Sequence, residues 1–449
     1  MPEKVHNLHN IHLSLEEASR EELLERVKSY RQQIERFREE QRRLHTLFYI
    51  TRSLSQELGL ESLLRLLMDE VKDVLRADRC TVFLVDEERE ELWSRLGHGL
   101  EGAEIRFPKN KGVAGYVATT GEVLKIDDCY ADPRFNPEID RKTGYHTRNL
   151  LTVPMRNKLG EIIGVFQVLN KREGAFGEDD VRMLEAIAPI AAVQLENAQL
   201  YEELRRTFGS FISTLARIVD ARDPLTAGHS HRIMLYADAI AEQAGWSRKQ
   251  REVLRTAALL HDLGKIGIRE SILTKTETLT SEEYEHIKDH VRLTKTFLDQ
   301  IYFSRDFTSV SEIAATHHER LDGSGYPRGL KGEEIPPGGR ILAIADIFDA
   351  LTSKRHYRDR MDLRKVVRLL EEGAGKKFDP FFVACFRKVS LQKLVETMEL
   401  ENREQLAAED LQQLARYTLG DLMNSLREET ASTGWQRVFF KYYLKEYSR

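Results

Sequence analysis

Long apolar runs are missing from this chain. No stretch approaches the roughly 20 residues that a spanning helix needs, which excludes a helical membrane span. Cysteine is scarce as well. Cys80, Cys129 and Cys385 are the only three, far apart and odd in number, so no disulfide framework follows from them. The first residues, Met1-Pro2-Glu3-Lys4-Val5-His6, lack the apolar core of a secretory signal, and the expected compartment is the cytoplasm. A net charge of −5 gives no basic footprint for a nucleic-acid polymer. What remains, at 41% hydrophobic and 31% charged over 449 residues, is a core-forming chain. Its length fits about two to four domains.

Histidine, by contrast, is concentrated. Seven of the 14 fall between His229 and His318: His229, His231, His261, His286, His290, His317 and His318. The run His261-Asp262-Leu263-Gly264-Lys265-Ile266-Gly267 follows apolar residues 253–260, which read as a buried helix. Continued helically, that run puts His261 and Lys265 one turn apart on one face, with Asp262 beside them. An isolated His-Asp pair is usually a core hydrogen bond, so a metal site requires further ligands. The adjacent pair His317-His318 opens a glycine-rich loop that ends at Pro327, and Asp346 sits inside apolar residues 341–348. A buried carboxylate is costly unless paired. Imidazole and carboxylate without thiolate suit Fe, Mn, Zn, Ni or Co.

Residues 222–230, 260–267, His290, 317–327 and 344–353 occur in order, and over about 205–390 the chain resembles an HD-GYP domain. That family comprises cyclic di-GMP phosphodiesterases within the HD metal hydrolases, and the Gly325-Tyr326-Pro327 loop separates it from generic HD hydrolases. The resemblance implies an all-α domain holding two divalent metal ions, Fe or Mn. His229, His261, Asp262 and Asp346 would hold one ion. Asp262 would bridge to a second, held by His290, His317 and His318. Asp262 and Lys265 are the implied catalytic pair, although a salt bridge between them is the structural alternative for Lys265. Gly325, Tyr326, Pro327, Arg355 and Arg358 are the implied contacts to cyclic di-GMP, which would be opened to pGpG, to GMP, or to both. Some family members hold a third ion with a Glu four residues before the first ligand His; here that position is Leu225. His231 and His286 match no ligand position and read as helix-surface residues. The competing readings are a non-catalytic receptor or interaction module and an HD hydrolase acting on another nucleotide or cyclic dinucleotide.

Ahead of this region, residues 80–86, 150–155 and 162–169 read as strands, the last two joined through Lys158-Leu159-Gly160. Their order resembles a GAF domain, an α+β sensor fold. Residues 128–136 and 143–149 resemble the GAF domains that bind cyclic nucleotides. Thr143, Thr147 and Gln167 are the candidate ligand contacts. Asn170, Lys171, Phe176 and Asp180 match that subgroup, but Val181 stands where a Glu is expected. The alternative is a GAF domain used only for packing and dimerisation.

Leu23, Val27, Tyr30, Ile34, Phe37, Gln41, Leu44 and Phe48 step by four and three, a heptad seam interrupted at Gln41. Leu184, Ile187, Ala191, Gln194, Ala198 and Tyr201, then Leu204, Phe208, Phe211, Leu215 and Ile218, extend a second seam with no Gly-Pro-Ser linker. Two such seams predict a parallel homodimer. The expected architecture is therefore multidomain, an α+β GAF domain followed by an all-α HD-GYP domain, linked and flanked by long helices. Its expected segments are 1–45 (tail and coiled-coil helix), 46–200 (GAF with linking helix), 201–390 (HD-GYP) and 391–449 (helical extension). The aromatic tail from Trp435 reads as a face packed on the body, and His6, His9 and His12 as a mobile terminus.

Overall fold

The computed structural model describes residues 20–54, 59–94, 104–222, 228–275, 277–353, 360–427 and 434–444. It omits the side chains of residues 20–23, 39, 42, 43, 139, 142 and 143. His6, His9, His12, Leu225, Arg355 and Arg358 lie outside the described residues, as does the side chain of Thr143. The chain divides into two compact units, Met1–Arg206 and Thr207–Arg449. No helix among the described residues is long and apolar enough to cross a membrane.

The first unit begins with α1 (Arg20–Leu54) and α2 (Leu60–Val74). On α2, Leu60, Leu63, Leu64, Leu67, Met68 and Val71 recur at helical spacing and form its buried face. Six strands follow: β1 (Ala77–Asp86), β2 (Glu91–Ser94), β3 (Ile105–Pro108), β4 (Leu124–Ile126), β5 (Leu150–Arg156) and β6 (Ile162–Lys171). They pair in the order β3-β2-β1-β6-β5-β4, every neighbour antiparallel. The strand period of two sorts the side chains cleanly. Cys80, Val82, Leu84, Val153, Met155, Phe166 and Val168 pack toward α2 and the start of α5 (Glu178–Arg222). Phe83, Leu150 and Val165 face the other way, into a smaller core with α3 (Gly112–Thr120). The turn from β5 to β6 closes through Asn157 and Gly160, as the sequence predicts, with Gly160 at φ +85°. A short α4 (Glu138–Thr143) lies between β4 and β5.

α5 is one continuous helix from Glu178 to Arg222, so the apolar spacing through Leu184 and Ile218 is realised as expected. Along α1 the predicted seam is helical but uncovered. Val27, Ile34, Phe37, Leu44 and Phe48 are each close to half exposed or more.

The second unit is helical. Its elements are α6 (His229–Gln243), α7 (Arg248–Leu260), α8 (Glu270–Leu273), α9 (Ser281–Leu298), α10 (Val310–Ala314), α11 (Pro337–Thr352), α12 (Leu363–Gly373) and α13 (Pro380–Arg387). Then come α14 (Leu391–Met398), α15 (Ala408–Leu414), α16 (Leu419–Arg427) and α17 (Gly434–Tyr443). Capping boxes start α7 (Ser247 with Gln250) and α9 (Thr280 with Glu283). One apolar core runs through the unit and includes Leu391, Leu394, Leu422, Phe439 and Tyr442. Residues beyond 390 are thus built into the helical unit. Buried Arg360 and Glu399 form an ion pair, and Arg360 also donates to the main-chain carbonyls of Tyr442 (3.1 Å) and Tyr443 (2.9 Å).

Candidate metal centre

Five helices deliver the predicted ligands to one place. His229 opens α6, Asp346 lies on α11, and His290 lies on the buried face of α9. His317 and His318 follow the end of α10. The predicted helical continuation past Leu260 is corrected. α7 ends there, His261 caps it, and Leu263–Gly267 turn as a 3-10 helix that aims Asp262 inward. Gly264 explains why the turn can pack where it does. A Cβ there would stand 1.9 Å from the carbonyl oxygen of His290. Buried Thr294 fastens the two segments, accepting from Gly264 N–H at 2.8 Å and donating to His261 O at 3.1 Å.

Asp262 is the hub. Its Oδ2 lies 3.3 Å from His261 Nε2 and 3.8 Å from His229 Nε2, while Oδ1 lies 3.2 Å from His290 Nε2 and 4.0 Å from His317 Nε2. Asp346 closes both ends: Oδ1 is 3.5 Å from His229 Nε2 and Oδ2 is 3.6 Å from His318 Nδ1. The donor atoms gather into overlapping sets, His229/His261/Asp346, His290/His317/His318 and His261/Asp262/His317, each within 4.8 Å. The seven predicted ligands are therefore together, and their carboxylate hub has one oxygen for each half.

The imidazoles are pre-aimed. His261, His290 and His317 donate Nδ1–H to the carbonyls three residues back, Ala258, Ile287 and Ala314, at 2.6–2.7 Å. His229 differs, donating Nδ1–H to Asp349 Oδ2 at 2.7 Å. Each bond engages Nδ1–H and turns Nε2 toward Asp262, with His229 Nε2 also facing Asp346. Asp349 is 1% exposed and is itself gripped by Arg232, through Nε at 2.7 Å and Nη2 at 3.0 Å. Burial works against the Asp349 charge, but Arg232 and His229 hold its carboxyl well below the usual carboxylate range. Asp349 was not singled out from the sequence. Its signal was the three-residue step from Asp346 on α11, which places both on one face.

The electrostatics call for cations. Burial opposes charge on His261, yet Asp262 beside it prevails and raises its pKa to about 9. Burial and the neighbouring imidazoles hold His317 and His318 well below the ordinary histidine value. Protons can therefore satisfy only part of this cluster, while its acceptor set of imidazole nitrogens and carboxylate oxygens suits divalent ions. The three cysteines are buried elsewhere and form no disulfide.

Lys265 Nζ sits 2.9 Å from Asp262 Oδ2, the salt bridge named as its structural alternative. Lys265 also lines the cleft of about 330 Å³ above the cluster, with Tyr284, Arg320 and Tyr326. The Gly325-Tyr326-Pro327 loop is held from beneath by buried Glu319, which accepts from the N–H groups of Arg328 (2.8 Å) and Leu330 (3.0 Å). Gly325 permits a close approach, since a Cβ would lie 2.5 Å from His318 O. The Tyr326 ring leans on His318, with centroids 4.7 Å apart. His231 and His286 are both partly buried rather than surface residues, and His231 Nε2 is bonded to Ser213 Oγ at 2.7 Å.

In the first unit a second cavity, about 290 Å³, is lined by Phe83, Phe107, Lys111, Phe135, Thr147 and Gln167, among others. Thr147 and Gln167 are thus brought together, but Thr147 is committed to Asp140, through N–H at 2.7 Å and Oγ1 at 2.8 Å. The matching quartet downstream is spent on scaffolding. Asn170, at φ +56°, accepts from Arg148 N–H and donates to Tyr145 Oη and His146 O, while Lys171 pairs with Asp180 at 2.6 Å.

Comparison with known families gives the same division. The family model described as a GAF domain matches residues 59–195, and that of the HD domain matches residues 213–381. A 3'3'-cGAMP-specific phosphodiesterase of Vibrio cholerae is 42% identical over 177 residues, 39% of this chain and 38% of that protein. A cyclic di-GMP phosphodiesterase of Thermotoga maritima is 41% identical over 182 residues, 40% of this chain and 48% of the relative. A cyclic di-GMP phosphodiesterase response regulator of Xanthomonas campestris is 41% identical over 169 residues, covering 38% and 44%. The chain thus spans less than half the length of these curated relatives. Among solved structures, the GAF domain from an Acinetobacter phosphoenolpyruvate-protein phosphotransferase is 21% identical with a TM-score of 0.32, covering 36% of this chain and 97% of that one.

Proposed function

We propose that the chain, in which a GAF-domain match is followed by an HD-domain match, is an HD-GYP protein and a metal-dependent phosphodiesterase that opens cyclic di-GMP to pGpG, to GMP, or to both. The observation that carries this reading is the split hub: Asp262 offers Oδ2 to His229 and His261, and Oδ1 to His290 and His317. His229, His261 and Asp346 would hold one ion, His290, His317 and His318 the other, with Asp262 shared. Two divalent ions held there, Fe or Mn, would supply a nucleophile at neutral pH and would neutralise charge on the phosphoryl group. The chain's own part is orientation. Main-chain carbonyls and Asp349 fix the imidazoles, and Lys265 at the cleft wall offers an ammonium to a phosphate oxygen. Arg355 and Arg358 are assigned to the phosphates by family resemblance. Leu225 in place of a third-site Glu keeps the count at two.

Regulation is assigned to the GAF cavity, where a small molecule would meet Gln167 among aromatic walls. Thr147 contributes a side chain already bonded to Asp140. The exposed stripes on α1 and α5 support pairing with a second copy in parallel, since a lone helix would leave them wet. A cytoplasmic location fits this signalling role. The test is anaerobic incubation with Fe(II) or Mn(II) and, in parallel, cyclic di-GMP or the mixed guanine–adenine dinucleotide, with products separated by chromatography. Linear dinucleotide or mononucleotide is the expected product. Tight binding without cleavage under these conditions would instead make the domain a receptor.

A further inference from the structure

The cleft above the metal ligands has one wall that no role yet accounts for. Tyr284 lies on α9, 49% exposed, and lines the same cleft as Tyr326. Lys288, one helical turn on, places Nζ 4.7 Å from the Tyr284 ring centroid and 5.5 Å from that of Tyr326. Two phenol rings of the cleft lining and one ammonium beside them thus converge. Beside them is His318, against which the Tyr326 ring packs.

We propose that Tyr284 and Lys288, together with Tyr326, form a subsite for the guanine base of the dinucleotide. This rests on the cyclic-dinucleotide reading above. An exposed aromatic face beside a cation is what a purine base stacks on. The direction of selectivity comes from hydrogen-bond chemistry. An ammonium has three donors and no acceptor, while the guanine edge presents two acceptors, O6 and N7. Adenine presents N7 beside a donor amino group, so the same ammonium meets one acceptor and one mismatch. Lys288 is available for this work at little cost. Its present partner is Glu285 at 2.7 Å, an i,i+3 pair whose carboxylate is 69% exposed, and such surface pairs contribute little. Location supports the assignment too: Tyr326 packs on His318 with centroids 4.7 Å apart, and Tyr284 lines the same cleft.

The consequence is a specific substrate order. Cyclic di-GMP and the mixed guanine–adenine dinucleotide can both place a guanine at Lys288, whereas cyclic di-AMP cannot. The test compares kcat and KM for cyclic di-GMP and cyclic di-AMP in the full chain, wild type against Lys288→Met, Tyr284→Leu and Tyr284→Phe, with metal content measured in each. Lys288→Met is expected to shrink the preference for cyclic di-GMP about ten- to a hundred-fold, mainly through KM. Tyr284→Leu raises KM for both substrates, and Tyr284→Phe, which keeps the ring, restores it. An unchanged preference in Lys288→Met, or a fall in kcat that tracks metal loss, overturns the subsite. A wild-type protein that cleaves bis(4-nitrophenyl) phosphate but no cyclic dinucleotide overturns the functional reading, and the subsite with it.

Discussion

Two groups of residues in this chain match family patterns, the first short of a Glu at Val181, and they behave oppositely in space. In the first unit, Asn170 bonds to Tyr145 and to the backbone of His146 and Arg148, and Lys171 pairs with Asp180, so these side chains tie neighbouring segments together. Their chemistry is spent on shape. In the second unit, His229, His261, His290 and His317 use Nδ1 for anchoring and turn Nε2 toward Asp262, with Asp346 beside His229. Their chemistry is held in reserve. A motif is functional where the anchoring bonds are peripheral and the acceptors converge. It is scaffolding where the bonds close on themselves.

The largest break in that contrast comes from Asp262→Ala. It removes both halves of the hub, and turnover should fall by more than about a thousand-fold, with the metals lost. Lys265→Ala should lower turnover about a hundred- to a thousand-fold and leave the metals in place, as expected for a single preorganised contact to the reacting phosphate. If Lys265→Ala empties the centre as Asp262→Ala does, its 2.9 Å contact with Asp262 is purely structural. Smaller again is Asp349→Asn, which keeps the shape but weakens the anchor of His229. It should cost about ten- to a hundred-fold in metal affinity, read by competition with a chelating dye.

On the scaffolding side, Asn170→Ala should destabilise the first unit by about 1–3 kcal/mol, because it removes the bonds of buried Asn170 to Tyr145, His146 and Arg148. Hydrogen exchange there should rise while metal content stays the same. A change in metal content would break the comparison. The mildest perturbation addresses pairing of two copies. Phe208 leans on Phe307 within its own unit, at 6.3 Å between centroids, so Leu204 and Phe211, 68% and 58% exposed, are the better probes. Leu204→Glu with Phe211→Glu should shift sedimentation toward monomer at micromolar concentration. A wild type that is already monomeric, with unregulated activity, contradicts the parallel dimer.

The sequence made the candidate ligands legible because imidazoles and carboxylates are rare inside apolar runs, and all but His290 sit in a motif. The strands 80–86, 150–155 and 162–169 were legible through their period of two. Less visible were the residues that act through long-range partners. Asp349, Glu319 and Thr294 look ordinary in sequence, and only the fold brings Arg232, the Arg328 and Leu330 amides, and Gly264 to them. The break after Leu260 was hidden too, since the helical pattern of residues 253–260 gives no stop signal before Gly264. Residues beyond 390 matched no familiar pattern, yet Phe439 and Tyr442 are buried in the helical unit's core. Their spacing indicates an apolar face but not what covers it.

The account stands most directly on the number of ions the cluster holds. Protein prepared anaerobically in excess Fe(II) or Mn(II), freed of loose metal and assayed by mass spectrometry of the elements, should carry two ions per chain, with none firmly held by Asp262→Ala. A firmly bound third ion, or an empty centre under metal-replete conditions, would contradict it.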